Sequence, residues 1–565
     1  MAAGIVALTL AAYVPAMDAG AIWDDDIYVF GNNHIRADDG LKHFWLTIDQ
    51  IDYYPVTHTS WWLERHLLWG DRTGGYHVVN IVLHALGSVL IWRVLLRLGV
   101  PGAWVVAAIF AVHPVAAGST AWIAQRKNVM SMCWMAAAVL AYLDFDDSRR
   151  RRSYAAAVAA FLLAVLSKSS VVMVPVVLLL TAWWRHSRIG ARDVLRVAPF
   201  FAISLVFGLI SIYTQFKFTI ASTDPRPEGA FSRLAASGWC VGFYWLKDLA
   251  PLRLSMIYPR WTVDPGWWPA WLPLIGLVAV LVWAWRRRAG WGRAVLFAVG
   301  YFIVIELPVL GISKMGYQRY SLVADHLQYL GLIAPIALVV AAGHRVMKRQ
   351  QAVGRVAAAL VIGVSAALTW QRASVFETPR SLWDDTLKKN PRSLSANYNM
   401  AAALQQLGEL EESSRYFHVV LELNPKDAGA YYNLGINAFR RQRLDAAIDF
   451  YHRALALKPE YGEAHHNLAV AFQDKGDGDW VRHHFLSLKY RGNDLFARRS
   501  FREAMAFFQP MVQLQPENGE AHFLLGRALY MAGDKAAAAR HLRQAVRLDR
   551  SLRKKVNELG LNLDG

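Results

Sequence analysis

Over the first ~370 residues, apolar runs long enough to cross a bilayer alternate with short polar breaks, and a membrane helix needs ~20 such residues. The runs lie at 4–22, 77–97, 102–119, 128–144, 154–167, 170–184, 197–214, 270–285, 293–311, 321–342 and 355–371, which predicts about 11 spans. The first run lacks a basic flank, so it reads as a span and not as a cleaved leader. Arginine clusters fix the orientation. Arg93 and Arg97, Arg149 to Arg152, Arg185 to Arg196, Arg286 to Arg293, and Arg345 to Arg355 fall in every second loop. Such loops are cytoplasmic by the positive-inside rule, which places the C-terminus outside. The segment 232–250 breaks this count if it crosses. Lys247 and Asp248 near its end favour an interfacial or re-entrant helix.

From ~380 the pattern changes to that of a soluble helical array. Pro391, Pro425 and Pro459 recur every 34 residues, as do Ala396, Ala430 and Ala464. Each Pro closes a helix and each small residue lets two helices approach, the period of tetratricopeptide repeats. Units are expected near 391–424, 425–458, 459–492 and 500–550, with 23 extra residues interrupting the array around Trp480 to Arg499. Asn399, Asn433 and Asn467 share the period, while Leu524 takes that place in the later unit. An amide ladder suits an extended acceptor peptide; packing between repeats is the alternative.

Composition adds class. The chain is 55% hydrophobic with 23 Trp, too apolar for an ordinary soluble protein. Its net charge of +18 does not argue for nucleic acid, because most basic clusters sit between apolar runs. Cys133 and Cys240 both lie in apolar surroundings and give no disulfide framework. No Walker loop, G-x-G-x-x-G nucleotide turn or G-x-S-x-G elbow supports nucleotide chemistry or serine hydrolysis.

The alternation brings the loop 23–76, the segment His113 to Asn128 and the region Lys314 to His326 to one outer face. Asp24, Asp25 and Asp26 close the first apolar run there. They offer a general base or ligands for a divalent cation, Mg²⁺ or Mn²⁺, against the plainer reading of a solvated span end. Arg126, Lys127 and Lys168 suit a phosphate; the plainer reading has Arg126 and Lys127 snorkel to the interface and Lys168 stand as a loop lysine. Arg319 opens the run that holds Asp325 and His326, and Asp325 suits a basic partner. His58, His77, His84 and His113 show no metal spacing and read as hydrogen-bonding groups at helix interfaces.

Trp23-Asp24-Asp25-Asp26 with Tyr28, Val29 and Asn32 resembles the first-loop motif of the transmembrane-and-tetratricopeptide-repeat (TMTC) proteins. His113-Pro114-Val115 through Ala121-Trp122-Ile123 to Arg126-Lys127-Asn128, Leu166-Ser167-Lys168 with Pro175, and Val323-Ala324-Asp325 with Tyr329-Leu330 are similar to further segments of that family. The resemblance implies a GT-C fold that takes sugar from a polyprenyl-phosphate donor, with a catalytic acid among Asp24 to Asp26 and with Arg126 and Lys168 at the donor phosphate. Ser169 stands where the family has Glu, and His326 where many members have Arg, which leaves Arg319 as a substitute.

The sequence therefore describes an all-α protein: a polytopic GT-C-type domain, 1–375, then a tetratricopeptide-repeat α-solenoid, 376–565. The expected activity is a membrane glycosyltransferase, O-mannosyltransferase-like, acting on Ser/Thr hydroxyls of exported protein. Asp24, Asp25 and Asp26 are its catalytic candidates; Arg126, Lys127, Lys168 and Arg319 face the donor phosphate. His58, His113, Asp325 and His326 support them, and Asn399, Asn433 and Asn467 hold the acceptor. A glycan or lipid acceptor, with the repeats binding partner proteins, is one alternative; a non-enzymatic membrane-anchored repeat scaffold is another. The expected location is the inner membrane of a bacterium, with site and repeats on the periplasmic side.

Overall fold

The computed structural model describes residues 1–48, 50, 52–220 and 224–560, and every regular element among them is helical. The chain forms two compact units, Met1–Ala396 and Asn397–Gly565. In the first, six helices among the described residues are long and apolar enough to cross a membrane. They are Thr73–Arg97, Ile123–Ser148, Ser169–His186, Ala191–Ile220, Trp268–Arg286 and Gln351–Ser374. A seventh results if Ala103–Ala111 and Pro114–Thr120, bent by 47°, cross as one.

The eleven-span count differs from this at identifiable places. Run 4–22 forms Ala2–Ala12 and then a separate turn at Val14–Ala16, because Pro15 has no N–H to continue the helix. Runs 154–167, 293–311 and 321–342 become Arg151–Ser167, Gly292–Glu306 and Ile333–Val346. The last two reach about 21–23 Å against ~30 Å of hydrocarbon. Residues 321–332 run as irregular chain and are buried except for Leu327. Irregular backbone at such depth persists only where protein groups satisfy it. Asn128 Nδ2 donates to the His326 carbonyl at 2.9 Å, and Tyr258 donates to Asp325 Oδ1 at 2.7 Å. Segment 232–250 forms the helix Ala230–Leu249, which is not among the six.

The unit boundary lies beyond 375. Helix Pro379–Lys389 belongs to the first unit, held by Arg372 donating to Asp385 at 2.7 Å and by Lys389 donating to the Leu254 carbonyl at 2.6 Å.

The second unit is an array of antiparallel helix pairs. Ala428–Arg440 with Leu444–Leu457 matches the expected unit. The interruption resolves differently from the expected 459–492 and 500–550. Gly462–Lys475 packs on the long helix Trp480–Ala497, which in turn pairs with Phe501–Leu514; Gly519–Met531 with Lys535–Leu548 follows. The extra residues thus supply one further helix shared between neighbours. Gly492 packs against the Phe508 ring as Gly435 does against Tyr451 and Gly526 against Leu542, with no room for a Cβ at any of them.

Two histidine pairs bolt this unit. His465 Nε2 lies 3.0 Å from the Pro459 carbonyl, so it carries the proton and leaves Nδ1 as an acceptor for His483 Nδ1–H at 2.9 Å. His522 and His541 repeat the arrangement at 3.0 Å, with Pro516 as the carbonyl. Burial pushes His483 down to about 4, and the neighbouring His465 and His452 add to this. A histidine depressed below its unfolded value of ~6.5 stabilises the fold above that pH and loses its contribution as pH falls through the window. Hydrogen exchange on the full chain, corrected for intrinsic rates, should show Gly462–Ala497 losing protection between pH 6.5 and 4.5. The pair Ala428–Leu457, with no such bolt, should change little.

Candidate active site

Trp23 has a left-handed backbone, φ 44°, a conformation costing ~1–3 kcal/mol for such a residue. Packing enforces it. The indole stacks on Trp122 at 5.5 Å and meets Tyr320 and Trp383 edge-on at 5.5 and 5.4 Å. The acids that follow this kink part company. Asp25 is buried, and its two oxygens accept the Ile22 N–H at 2.9 Å and the Ala124 N–H at 2.7 Å. Burial pushes its carboxyl up to about 8, against the pull of those two bonds. Asp26 is exposed. Asp24 is half-buried, and no hydrogen bond among the described residues reaches its carboxylate. Burial raises it to about 6, with Lys127 opposing the rise and Asp52 adding to it. Three carboxylates with three destinations do not fit a divalent cation, and no group of three His, Cys, Asp or Glu among the described residues is placed to hold one.

The cations divide in the same way. Arg126 is fully buried with all its donors used. Nε donates to Asn80, Nη1 to Glu64 and to Ser60 Oγ at 3.1 Å, and Nη2 to Glu64 and to the Tyr76 carbonyl at 2.8 Å. It has nothing left for a phosphate, so its place is in the scaffold. Lys127, the next residue, lies 4.2 Å over the Tyr28 ring and 3.5 Å from Asp52. Asp52 also accepts from Tyr28 at 2.7 Å. Lys168 donates to Asn128 Oδ1 and stands at the wall of a cavity of about 730 Å³. Burial lowers it to about 7, helped by Lys127. That cavity is shared with Tyr54, Ser169, Ser211 and Lys314, and its other wall is apolar, including Ile212 of the helix Ala191–Gln215 and Phe216 of the turn that continues it. Arg319 is tied to the carbonyls of Gly316 at 3.1 Å and Thr219 at 2.6 Å.

The supporting residues are structural. His58 bonds the Tyr54 carbonyl at 2.9 Å and stacks on Phe44. His113 accepts from Val115 N–H and bonds the Asp248 carbonyl at 3.1 Å, joining two distant segments. His326 packs edge-on against Trp122 and Tyr317, lining the aromatic cluster. Asp325, buried and 3.7 Å from Arg372, is raised to about 6, chiefly by burial. In the repeat unit, Asn433 donates to Tyr398 Oη at 2.9 Å and to the Gly429 carbonyl at 2.8 Å, and Asn467 donates to Tyr432 Oη at 3.2 Å. These amides join neighbouring repeats; Asn399 stands at the equivalent position, half-buried.

Sequence reasoning misses Asp52, Glu64 and Tyr28 as site groups. Asp52 carried a signal: an acid followed by Tyr53 and Tyr54 inside the loop that holds Asp24.

The chain matches tetratricopeptide-repeat families over residues 398–462 and 495–553. It is similar to "Protein O-mannosyl-transferase Tmtc1" of Drosophila melanogaster, 30% identical over 161 residues that cover 25% of this chain and 18% of that one. "Protein O-mannosyl-transferase TMTC3" of Mus musculus is 28% identical over 149 residues, 24% of this chain and 16% of the relative. The chain thus spans less than a fifth of the length of either relative. Among solved structures, that of MamA is 19% identical and covers 31% of this chain and 89% of its own, with a TM-score of 0.18.

The full use of Arg126 has a measurable consequence. Arg126→Ala should destabilise the folded protein by ~3–5 kcal/mol in detergent unfolding, since Glu64 then lies buried without a partner. Replacing both by Met should recover part of that loss. A residue serving only phosphate binding would change stability by about 0.5 kcal/mol or less.

Proposed function

We propose that this membrane protein is a GT-C-type glycosyltransferase, O-mannosyltransferase-like, moving a sugar from a polyprenyl-phosphate donor to a Ser or Thr hydroxyl of exported protein. The observation that carries this reading is the division of labour around Trp23. One carboxylate, Asp24, has no hydrogen-bond partner among the described residues beside Lys127 and Asp52, while Lys168 lines a partly apolar cavity. Lys127 and Asp52 act electrostatically on both Asp24 and Lys168, which places all four in one neighbourhood. The similarity to proteins named as O-mannosyl-transferases supports the transferase class.

In this mechanism the donor's lipid lies along the apolar wall formed by the helix Ala191–Gln215, and its phosphate meets Lys168. The acceptor oxygen attacks the anomeric carbon and gives its proton to Asp24. The bond from that carbon to the phosphate oxygen breaks, and the departing lipid phosphate keeps the electron pair. Lys168, with Lys127 behind it, balances the charge that develops there. A single displacement inverts the anomeric centre. Tyr28 and Asp52 hold Lys127, and the aromatic cluster of Trp23, Trp122, Tyr317 and Tyr320 walls the sugar side. We place the site and the repeats on the extracytoplasmic face, as the arginine-rich alternate loops favour.

A variant of this reading concerns the repeats. Asn433 and Asn467 spend donors on tyrosines of the preceding repeat, which favours the repeats as a protein-binding module whose grip does not run through an asparagine ladder.

Transfer from a polyprenyl-phosphate sugar should fall ~10²–10⁴-fold in Asp24→Asn with the fold retained. Wild-type turnover in that variant would end the proposal. The base must be ionised and the lysine protonated. The pH profile of kcat/KM should therefore rise through about 6 and fall above about 7. Lys168→Met should remove the alkaline limb.

A further inference from the structure

Away from the candidate active site, the helices Ala103–Ala111, Ile333–Val346 and Gln351–Ser374 enclose a groove of about 510 Å³. Its walls are apolar, with Val105, Ile109, Val340 and Val361 among them, and its end carries His344, Lys348 and Arg355. Among the described residues none forms a hydrogen bond or ion pair with these three groups, and the sequence from Ile333 to Phe376 contains no Asp or Glu. Large apolar side chains beside the groove, Val339, Val356 and Leu360, are more than half exposed, as befits helices facing hydrocarbon.

An apolar trough that ends in uncompensated cations is complementary to one kind of molecule: an amphiphile with acyl chains and an anionic head. We infer that this groove binds an anionic glycerophospholipid of the surrounding bilayer, its phosphodiester held by Lys348 and Arg355 and its chains laid along the three helices. Positive charge near a membrane surface attracts anionic lipid at any basic loop, by ~1 kcal/mol per residue. The groove adds shape, and shape is the testable part. Gly343 lines it, and a Cβ there would meet nothing within 4 Å, so a larger side chain enters the trough without disturbing the helix.

The test is native mass spectrometry of the full chain, delipidated and titrated with phosphatidylglycerol or with phosphatidylcholine. The wild type should retain one phosphatidylglycerol in preference to phosphatidylcholine. Lys348→Gln with Arg355→Gln should weaken that adduct by about tenfold or more. Gly343→Leu should weaken it as well, although every charge remains. Arg286→Gln with Arg288→Gln, which alters another basic loop, should leave it unchanged. Equal retention of the two lipids, equal loss in the Arg286/Arg288 variant, or wild-type retention in Gly343→Leu would each overturn the inference, because each reduces the effect to general surface charge.

Discussion

A guanidinium removed from water must find an acceptor for each of its five N–H groups, and Arg126 finds them on two other segments of the chain. Ser60 and Glu64 come from the helix that ends the first long loop and the turn after it, Asn80 and Tyr76 from the helix Thr73–Arg97, and Arg126 itself opens a third helix. Once that cation is fixed, its two successors have little choice of position. Lys127 lies over Tyr28 against Asp52, and Asn128 offers its carbonyl oxygen to Lys168 and its amide to the His326 carbonyl. Three distant segments converge because one buried charge requires it.

The same economy governs the acidic triplet. Identical side chains in sequence acquire different environments because Trp23 turns the backbone between them and the segment before Arg126. Asp25 ties Ile22 to Ala124 and so closes the first loop onto that segment; Asp24 keeps a free carboxylate beside a lysine. Environment alone separates an acid spent on backbone N–H groups from one whose carboxylate stays open, the principle by which identical carboxylates take different roles.

Much of this was legible from residue order. The 34-residue period locates the repeats, and the acidic loop, the His113–Asn128 segment and Lys168 do meet. What escaped was the identity of the useful member in each group. Arg126 and Lys127 look alike in sequence, and only the acceptors contributed by Glu64 and Asn80, far away along the chain, set them apart. The run 321–342 is apolar enough for a span, yet its first part runs as irregular chain, with the His326 carbonyl held by Asn128 and Asp325 Oδ1 by Tyr258. Gly492, sixteen residues before Phe508, marks the hidden helix of the array with the spacing that relates Gly435 to Tyr451. The long Pro459-to-Pro516 interval masks that spacing.

Trp383 has a bearing on how the chain can be taken apart. Because its indole is one of the rings that keep Trp23 in an unfavourable backbone state, the stretch leading up to the repeats belongs to the scaffold of the candidate site. Shortened or chimeric versions joined after Ala396 would preserve that prop. Those joined at 375 would let the tryptophan relax and slacken the acid that follows it, and any defect in them would then be mistaken for a contribution of the repeats.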